Sequence, residues 1–184
     1  MKAETLNSDI GYVKGLVDRA DEGGMAASIY RLWAFICLVG FAMVDLLPGH
    51  VGVFWAVAGP AGGILSGCLG KSSDITRGQL DRKAGVKHVL HWSGMLVFIA
   101  LAVLLAVTGR IQGVLLSQVI ILIVAFGWWT AGVHFDRNFL WISAVMAAGY
   151  IASLFLQKFV WVGTGILMFL ALMIMAPRKR GSRA

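Results

Sequence analysis

Apolar stretches of about 20 residues alternate with short polar segments along this chain, and this pattern predicts membrane-spanning helices. About 20 apolar residues in a helix cross a hydrocarbon core about 30 Å thick. The connections are short enough for hairpin turns, except for a hydrophilic loop predicted at 71–87. We therefore expect an all-α integral membrane protein of six transmembrane helices with short hairpin loops. The predicted spans cover about 29–47, 51–70, 88–108, 112–133, 139–156 and 159–176.

Polar segments flank the predicted transmembrane domain, which occupies residues 27–176. Residues 1–26 favour a short amphipathic helix on the cytoplasmic membrane surface, because their apolar side chains recur at helical spacing. A partly ordered tail without a partner is the alternative. Residues 177–184 form a basic tail, which we expect in the cytoplasm.

The composition indicates that lipid is the main solvent of the chain. Of 184 residues, 59% are hydrophobic and 14% are charged, whereas about a quarter of the residues in soluble domains are charged. The net charge of +7 does not indicate nucleic-acid binding, because the basic residues are divided among helix ends instead of gathering with aromatic residues. The sequence contains no phosphate-binding loop and no nucleophile elbow, which makes an enzyme the less favoured class.

The distribution of lysine and arginine predicts how the chain lies in the membrane. With six spans and both termini in the cytoplasm, 14 of the 16 basic residues are cytoplasmic, and only Arg110 and Lys158 lie outside. An excess of basic residues on the cytoplasmic side is typical of membrane proteins. We therefore predict a multi-pass protein of a bacterial-type inner (plasma) membrane, with both termini cytoplasmic.

Two of the predicted helices carry small residues that recur every four positions and therefore share one helix face. Such faces let helix backbones approach closely in a membrane, where no hydrophobic force drives helices together. They comprise Gly59, Gly63 and Gly67 in the second span and Ala144, Ala148 and Ala152 in the fifth. We predict helix packing through both faces. A helix broken near Pro60, with carbonyls lining a cavity, is the alternative for the first.

Four polar residues are predicted to lie at one depth on the cytoplasmic side. His88 and His91 share a helix face at the start of the third span, and His134 and Asp136 follow the fourth span. Imidazole and carboxylate groups bind zinc, copper, iron or nickel, so these residues form a candidate metal site. A haem b held by His91 and His134 is a second hypothesis. The default expectation is a set of interfacial side chains with no cofactor besides bound lipid.

Few polar side chains are expected inside the spans. Asp45 lies near the outer end of the first span, and Gln118 and Tyr150 lie deeper in the fourth and fifth. No Lys, Arg, His, Asp or Glu lies near the middle of a predicted span, where ion-coupled transporters usually carry such groups. These polar groups are expected either to join helices by hydrogen bonds or to line a neutral pathway.

Three functions follow from these features. The first is a small transport-type or accessory subunit that acts within a homo-oligomer or a larger membrane complex. The second is a metal- or haem-binding membrane protein, and the third is a membrane-anchored regulatory protein that contacts cytosolic partners. In size and helix number the chain resembles the small substrate-binding subunits of energy-coupling-factor vitamin transporters, a resemblance that implies no functional residue.

Overall fold

The computed structural model describes residues 11, 26–77, 82–111, 113–156 and 158–176, with the backbone alone at 73–77 and 82–84. Six α-helices and no β-strand occur in this part of the chain, which confirms the all-α class. The helices are α1 (Ala27–Leu46), α2 (Val51–Arg77), α3 (Arg82–Val107), α4 (Val114–His134), α5 (Phe139–Phe155) and α6 (Val160–Met175). The amphipathic helix predicted within 1–26, apart from residues 11 and 26, and the basic tail at 177–184 lie outside the described residues.

Two helices extend beyond the spans predicted within them. α2 continues to Arg77, although the span was expected to end near 70, and α3 begins at Arg82 instead of near 88. The prediction of a loop over all of 71–87 is therefore wrong, because only 78–81 separate the two helices. Loss of hydropathy marks where a segment leaves the membrane, but it does not by itself end a helix, because the backbone hydrogen bonds of a helix also form outside the membrane.

Four of the six helices are long and apolar enough to cross a membrane. They include residues Ala27–Leu46, Val51–Ser72, Gly85–Val107 and Val114–His134. The remaining two are apolar but shorter, since α5 has 17 residues and α6 has 16. At 1.5 Å per residue they are about 24 to 26 Å long, somewhat less than the hydrocarbon core. The helices are thus those of a membrane protein, and the number of spans stays a prediction.

Helices that follow one another in the chain are mostly neighbours in the bundle. α1 packs along α2 and, most extensively, along α6, while α4 packs against α3 and α5, and α5 against α6. α2 and α3 are the exception, since they make no extended contact with each other within the described residues. They therefore flank a group formed by α1, α4, α5 and α6.

The buried core comes almost entirely from these four inner helices. Its largest fully buried side chains are Tyr30, Ile121, Ile142, Met168 and Leu172. In the most apolar 18-residue windows, 33% of the residues of α1 and 28% of those of α4 are buried, against 6% in α2 and in α3. The two flanking helices thus expose most of their surface to whatever surrounds the bundle.

Glycines allow the closest approaches among the inner helices. A Cβ built on Gly165 in α6 would lie 3.0 Å from Phe41 Cβ and 3.3 Å from Leu38 O in α1. A Cβ on Gly149 in α5 would lie 2.5 Å from Cγ2 of Thr164 in α6. Small residues at such points bring helix backbones into contact, which is the main way in which helices associate in lipid.

Candidate functional site

Ring contacts bring the sequence-predicted histidines to one end of the bundle, which we call the histidine end. Here the Tyr30 ring near the start of α1 lies 6.2 Å from that of Phe139 at the start of α5. The His88 ring near the start of α3 lies 4.0 Å from that of Phe135. Phe135 belongs to the turn between α4 and α5. Four helix ends therefore meet around this turn.

The two histidines of α3 both contact Phe135, which lies between His134 and Asp136 in the chain. The His88 ring is stacked on Phe135 at an interplanar angle of 24°, and the His91 ring meets it edge-on at 5.3 Å and 86°. The structure thus brings the α3 histidines to the turn that holds the other two candidate ligands. Sequence reasoning missed Phe135, since an aromatic residue in a turn gives no signal that it will pack against imidazoles.

A backbone carbonyl of α4 fixes the position of His91. Its Nε2 lies 3.0 Å from Gly127 O, so a ring with its proton on Nε2 donates to this carbonyl. The side chain of Met95, one turn along α3, occupies the space above Gly127, where a Cβ would lie 2.5 Å from its Sδ. The glycine therefore lets α3 approach α4 closely enough for the hydrogen bond to form.

The carboxylate of Asp136 is engaged by its own turn and by α1. Asn138 N donates to Oδ1 at 2.9 Å, and the Tyr30 hydroxyl donates to Oδ2 at 3.5 Å. Tyr30 is a core residue, whereas His134 is exposed. The aspartate therefore ties the α4–α5 turn to the first helix. This contact joins residues 106 positions apart, so no local pattern in the sequence indicates it.

The structure gives no geometric support to a metal centre. Among the described residues, no three His, Cys, Asp or Glu side chains are grouped so that they could hold a metal ion. The candidate ligands His88, His91, His134 and Asp136 are all described, and the contacts of His91 are with aromatic rings and a carbonyl oxygen. Metal or haem binding here stays a prediction, one that requires these side chains to move.

Aromatic rings continue from the histidines into the core. Trp92 in α3 lies 5.0 Å from Trp128 in α4, which lies 5.0 Å from Phe139, and Phe139 in turn contacts Tyr30. Edge-to-face pairs of this kind add stability beyond the area that they bury. Trp128 is 7% exposed and Phe139 is 2% exposed, so the row is a packed connection between four helices.

Two of the three polar residues predicted inside the spans, Asp45 and Gln118, form hydrogen bonds between helices. Asp45 Oδ2 in α1 accepts from Val162 N in the first turn of α6 at 2.9 Å. Gln118 Nε2 in α4 donates to Ser153 Oγ in α5 at 3.2 Å, and this hydroxyl donates to Tyr150 O at 2.7 Å. Asp45, Gln118 and Tyr150 are all half-buried. The contacts of Asp45 and Gln118 are those expected of groups that join helices, whereas the bond to Tyr150 is made to its backbone carbonyl within α5.

The predicted glycine face of α2 is not packed against any other helix that the structure describes. A Cβ built on Gly59, Gly63 or Gly67 would meet nothing within 4 Å. The contact with α1 uses Gly62 instead, where a Cβ would lie 2.8 Å from Ile36 Cδ1. One turn further, Trp33 Nε1 in α1 donates to Ser66 Oγ at 2.9 Å. Among the described residues, the contact of α2 with α1 therefore does not use the glycine face.

The alanine face of α5 is only partly used within the bundle. Ala144 and Ala148 are exposed, whereas Ala152 is half-buried and packs against the core. The contact of α5 with α6 uses Gly149, which the sequence pattern did not single out. Packing through Ala144 and Ala148 stays a prediction.

No protein-family model matches the sequence, and no curated protein or solved structure matches it at a significant level. The function must therefore be argued from the geometry of the bundle itself.

Proposed function

We propose that this chain is a transport-type or accessory membrane subunit that works within a homo-oligomer or a larger membrane complex. The observation that carries the proposal is the glycine face of α2 (Gly59, Gly63 and Gly67), where a built Cβ meets no atom of another described helix within 4 Å.

Glycines on a lipid-facing surface need a physical reason. Each glycine in a helix interior costs about 1 kcal/mol relative to alanine. Lipid chains pack against any apolar side chain, so they do not require small residues. A second helix backbone does require them, because only small residues allow it to approach closely. A helix from another copy or from a partner protein is the occupant that suits this face best.

We also propose that all six helices cross a bacterial-type inner membrane, with the histidine end and both termini in the cytoplasm. The helix order supports this orientation. Arg31, Lys71, Lys87 and Arg137 lie at the histidine end, and Arg110 and Lys158 lie at the other end. The bias towards the histidine end is the one expected of a cytoplasmic side. The shorter α5 and α6 span through local thinning of the bilayer or through their non-helical flanks.

A matched pair of substitutions in α2 tests the assembly. Gly63→Leu fills the glycine face, whereas Ala61→Leu adds bulk at an exposed position two residues away, on nearly the opposite side of the helix. The purified protein is sized in mild detergent by native mass spectrometry. We expect Gly63→Leu to dissociate the assembly and Ala61→Leu to leave it intact. A wild-type chain that is monomeric and brings no partner with it would refute the proposal.

Cysteine cross-linking tests the same surface in native membranes. Cys68 in α2 is exposed, but it follows Ala61 by seven residues and so lies on nearly the opposite side of the helix from the glycine face, while Cys37 in α1 is 7% exposed. A Gly67→Cys variant that lacks both native cysteines has its thiol on the glycine face, and a short bifunctional maleimide is expected to cross-link its copies. The Cys37→Ala variant, which keeps only Cys68, serves as the control and should cross-link less. Equal cross-linking of the two variants would contradict assembly through the glycine face.

A further inference from the structure

Ring contacts place three helices at a common level at the histidine end. The Tyr30 ring in α1 lies 6.2 Å from that of Phe139, the first residue of α5. The His88 ring in α3 lies 4.0 Å from that of Phe135 in the turn that leads into α5. Heights along the bundle can therefore be compared from Tyr30, Phe139 and His88 as starting points.

From this level the three helices do not reach equally far towards the opposite end of the bundle. The part of α3 over 88–107 rises about 28 Å at 1.5 Å per residue. The part of α1 over 30–46 and the whole of α5, Phe139–Phe155, rise about 24 Å each. The far ends of α1 and α5 therefore lie about 4–5 Å lower than that of α3, which alone approaches the thickness of the hydrocarbon core.

A carboxyl group lies at the low end of α1 and joins it to α6. Asp45 comes directly before the last residue of α1, and its Oδ2 accepts from Val162 N in the first turn of α6 at 2.9 Å. It is half-buried, and a single N–H group uses only part of the acceptor capacity of a carboxyl group. Asp45 lies about 22 Å above Tyr30, which is about 8 Å less than the hydrocarbon core is thick. An ionisable side chain at that depth in a flat bilayer would be costly unless water reached it.

The turn between α5 and α6 also needs water at this level. Its backbone is irregular, since Leu156 is extended and Phe159 is left-handed with a φ of 56°. Phe159 precedes α6 and offers no side-chain cap to the N–H groups of its first turn. Irregular backbone does not occur in contact with hydrocarbon, because its polar groups would lack partners. The side chains of Phe155, Leu156 and Phe159 are nevertheless apolar and exposed, which suits the boundary between headgroups and acyl chains.

We propose that the membrane leaflet at this end is thinned by about 5 Å beside α1, α5 and α6, so that water reaches Asp45 and the α5–α6 turn lies among the headgroups. This inference rests on the proposed crossing of the membrane by all six helices. A shift of the whole bundle does not supply the missing length, because α3 already matches the full core. Bilayers adapt to short helices by local thinning at a modest cost per ångström. The thinned side is then the place where a polar group crosses the least hydrocarbon.

Single cysteines at matched heights test the proposal in the full-length chain without its native cysteines. Phe155→Cys reports on the end of α5, and Leu104→Cys, also at an exposed position, lies at the same height on α3, about 24 Å above the common level. Val107→Cys ends α3, and Val107 has the same exposed fraction as Phe155, 78%. Each variant is reconstituted in dioleoylphosphatidylcholine liposomes with a charged methanethiosulfonate on both sides. Intact-mass spectrometry then measures the modified fraction of each chain.

We expect Phe155→Cys to be modified as completely as Val107→Cys under conditions that leave Leu104→Cys unmodified, because the reaction requires a thiolate in contact with water. The proposal is overturned if Phe155→Cys is as unreactive as Leu104→Cys. It is also overturned if Leu104→Cys reacts as readily as the other two, since the boundary would then be level across the bundle.

Labelling from one side of the membrane separates this proposal from the proposed topology. Asn138 is exposed and directly precedes α5, so Asn138→Cys and Phe155→Cys should be modified from opposite sides. Modification of both from the same side refutes the crossing of α5 and the thinning with it. Modification of Asn138→Cys and Val107→Cys from opposite sides, with Phe155→Cys unreactive, keeps the transmembrane arrangement and refutes the thinning alone.

Discussion

Gly149 in α5 allows a quantitative test of how the inner helices pack. A Cβ at this position would lie 2.5 Å from Thr164 Cγ2, 2.6 Å from Thr164 Oγ1 and 3.1 Å from Thr164 Cβ. Thr164 is 3% exposed, and its hydroxyl donates to Val160 O at 2.8 Å. A change of rotamer would break this bond, and its branched Cβ would stay in place. The methyl group of Gly149→Ala therefore has to push α5 and α6 apart.

The size of the effect follows from two opposing terms. Overpacking of a core costs about 1–3 kcal/mol. Alanine in place of glycine recovers up to about 1 kcal/mol of helix propensity. Gly163 in α6 is the matched control, because a Cβ there meets nothing within 4 Å. Gly163→Ala should therefore change the free energy of unfolding only through the higher helix propensity of alanine. The free energies of unfolding of the two variants should therefore differ by the steric term, about 1–3 kcal/mol.

Unfolding of the full-length protein by SDS in mixed micelles, followed by tryptophan fluorescence and circular dichroism, measures this difference. Thr164→Ala removes the two atoms nearest to the added methyl, so Gly149→Ala should lose most of its steric cost in that background. The reasoning is refuted if Gly149→Ala and Gly163→Ala are equally stable. It is also refuted if the cost of Gly149→Ala is unchanged when Thr164 is alanine.

Three further predictions concern single contacts. Asp45→Ala removes the acceptor of Val162 N and should lower the free energy of unfolding by about 1–2 kcal/mol. Asp45→Asn keeps an oxygen at this position and should lower it less. Equal losses in the two variants would contradict this prediction. Trp33→Phe and Ser66→Ala should each lower the free energy of unfolding by about 0.6 kcal/mol, because each removes the hydrogen bond between Trp33 and Ser66. The double variant should lose less than the sum of the two, and strict additivity would show that this bond contributes nothing. Elemental analysis of the purified protein should find no stoichiometric transition metal; one metal per chain that is lost in His91→Ala would restore the metal hypothesis.

The sequence by itself determined the helices. In lipid, backbone groups must be satisfied within each segment, so the length of an apolar stretch and the polar breaks beside it identify a helix. Each of the six predicted stretches coincides with most of one helix of the described chain. The prediction failed at the ends of α2 and α3, where helix continues through Lys71 and Lys87, because loss of hydropathy does not end a helix.

Only the tertiary structure decided which faces of these helices meet. In α2, both Gly59–Gly63–Gly67 and Gly62–Ser66–Gly70 have a spacing of four residues, so periodicity does not choose between them. The rotation of α2 that places Gly62 against Ile36 leaves the glycine face outside.

The same limit applies at the histidine end. The hairpin order of the helices places His88 and His91 near the turn after α4, but there both imidazole rings pack against Phe135. Such contacts join residues that are far apart in the chain. They depend on how whole helices pack, a property that no local pattern of residues contains.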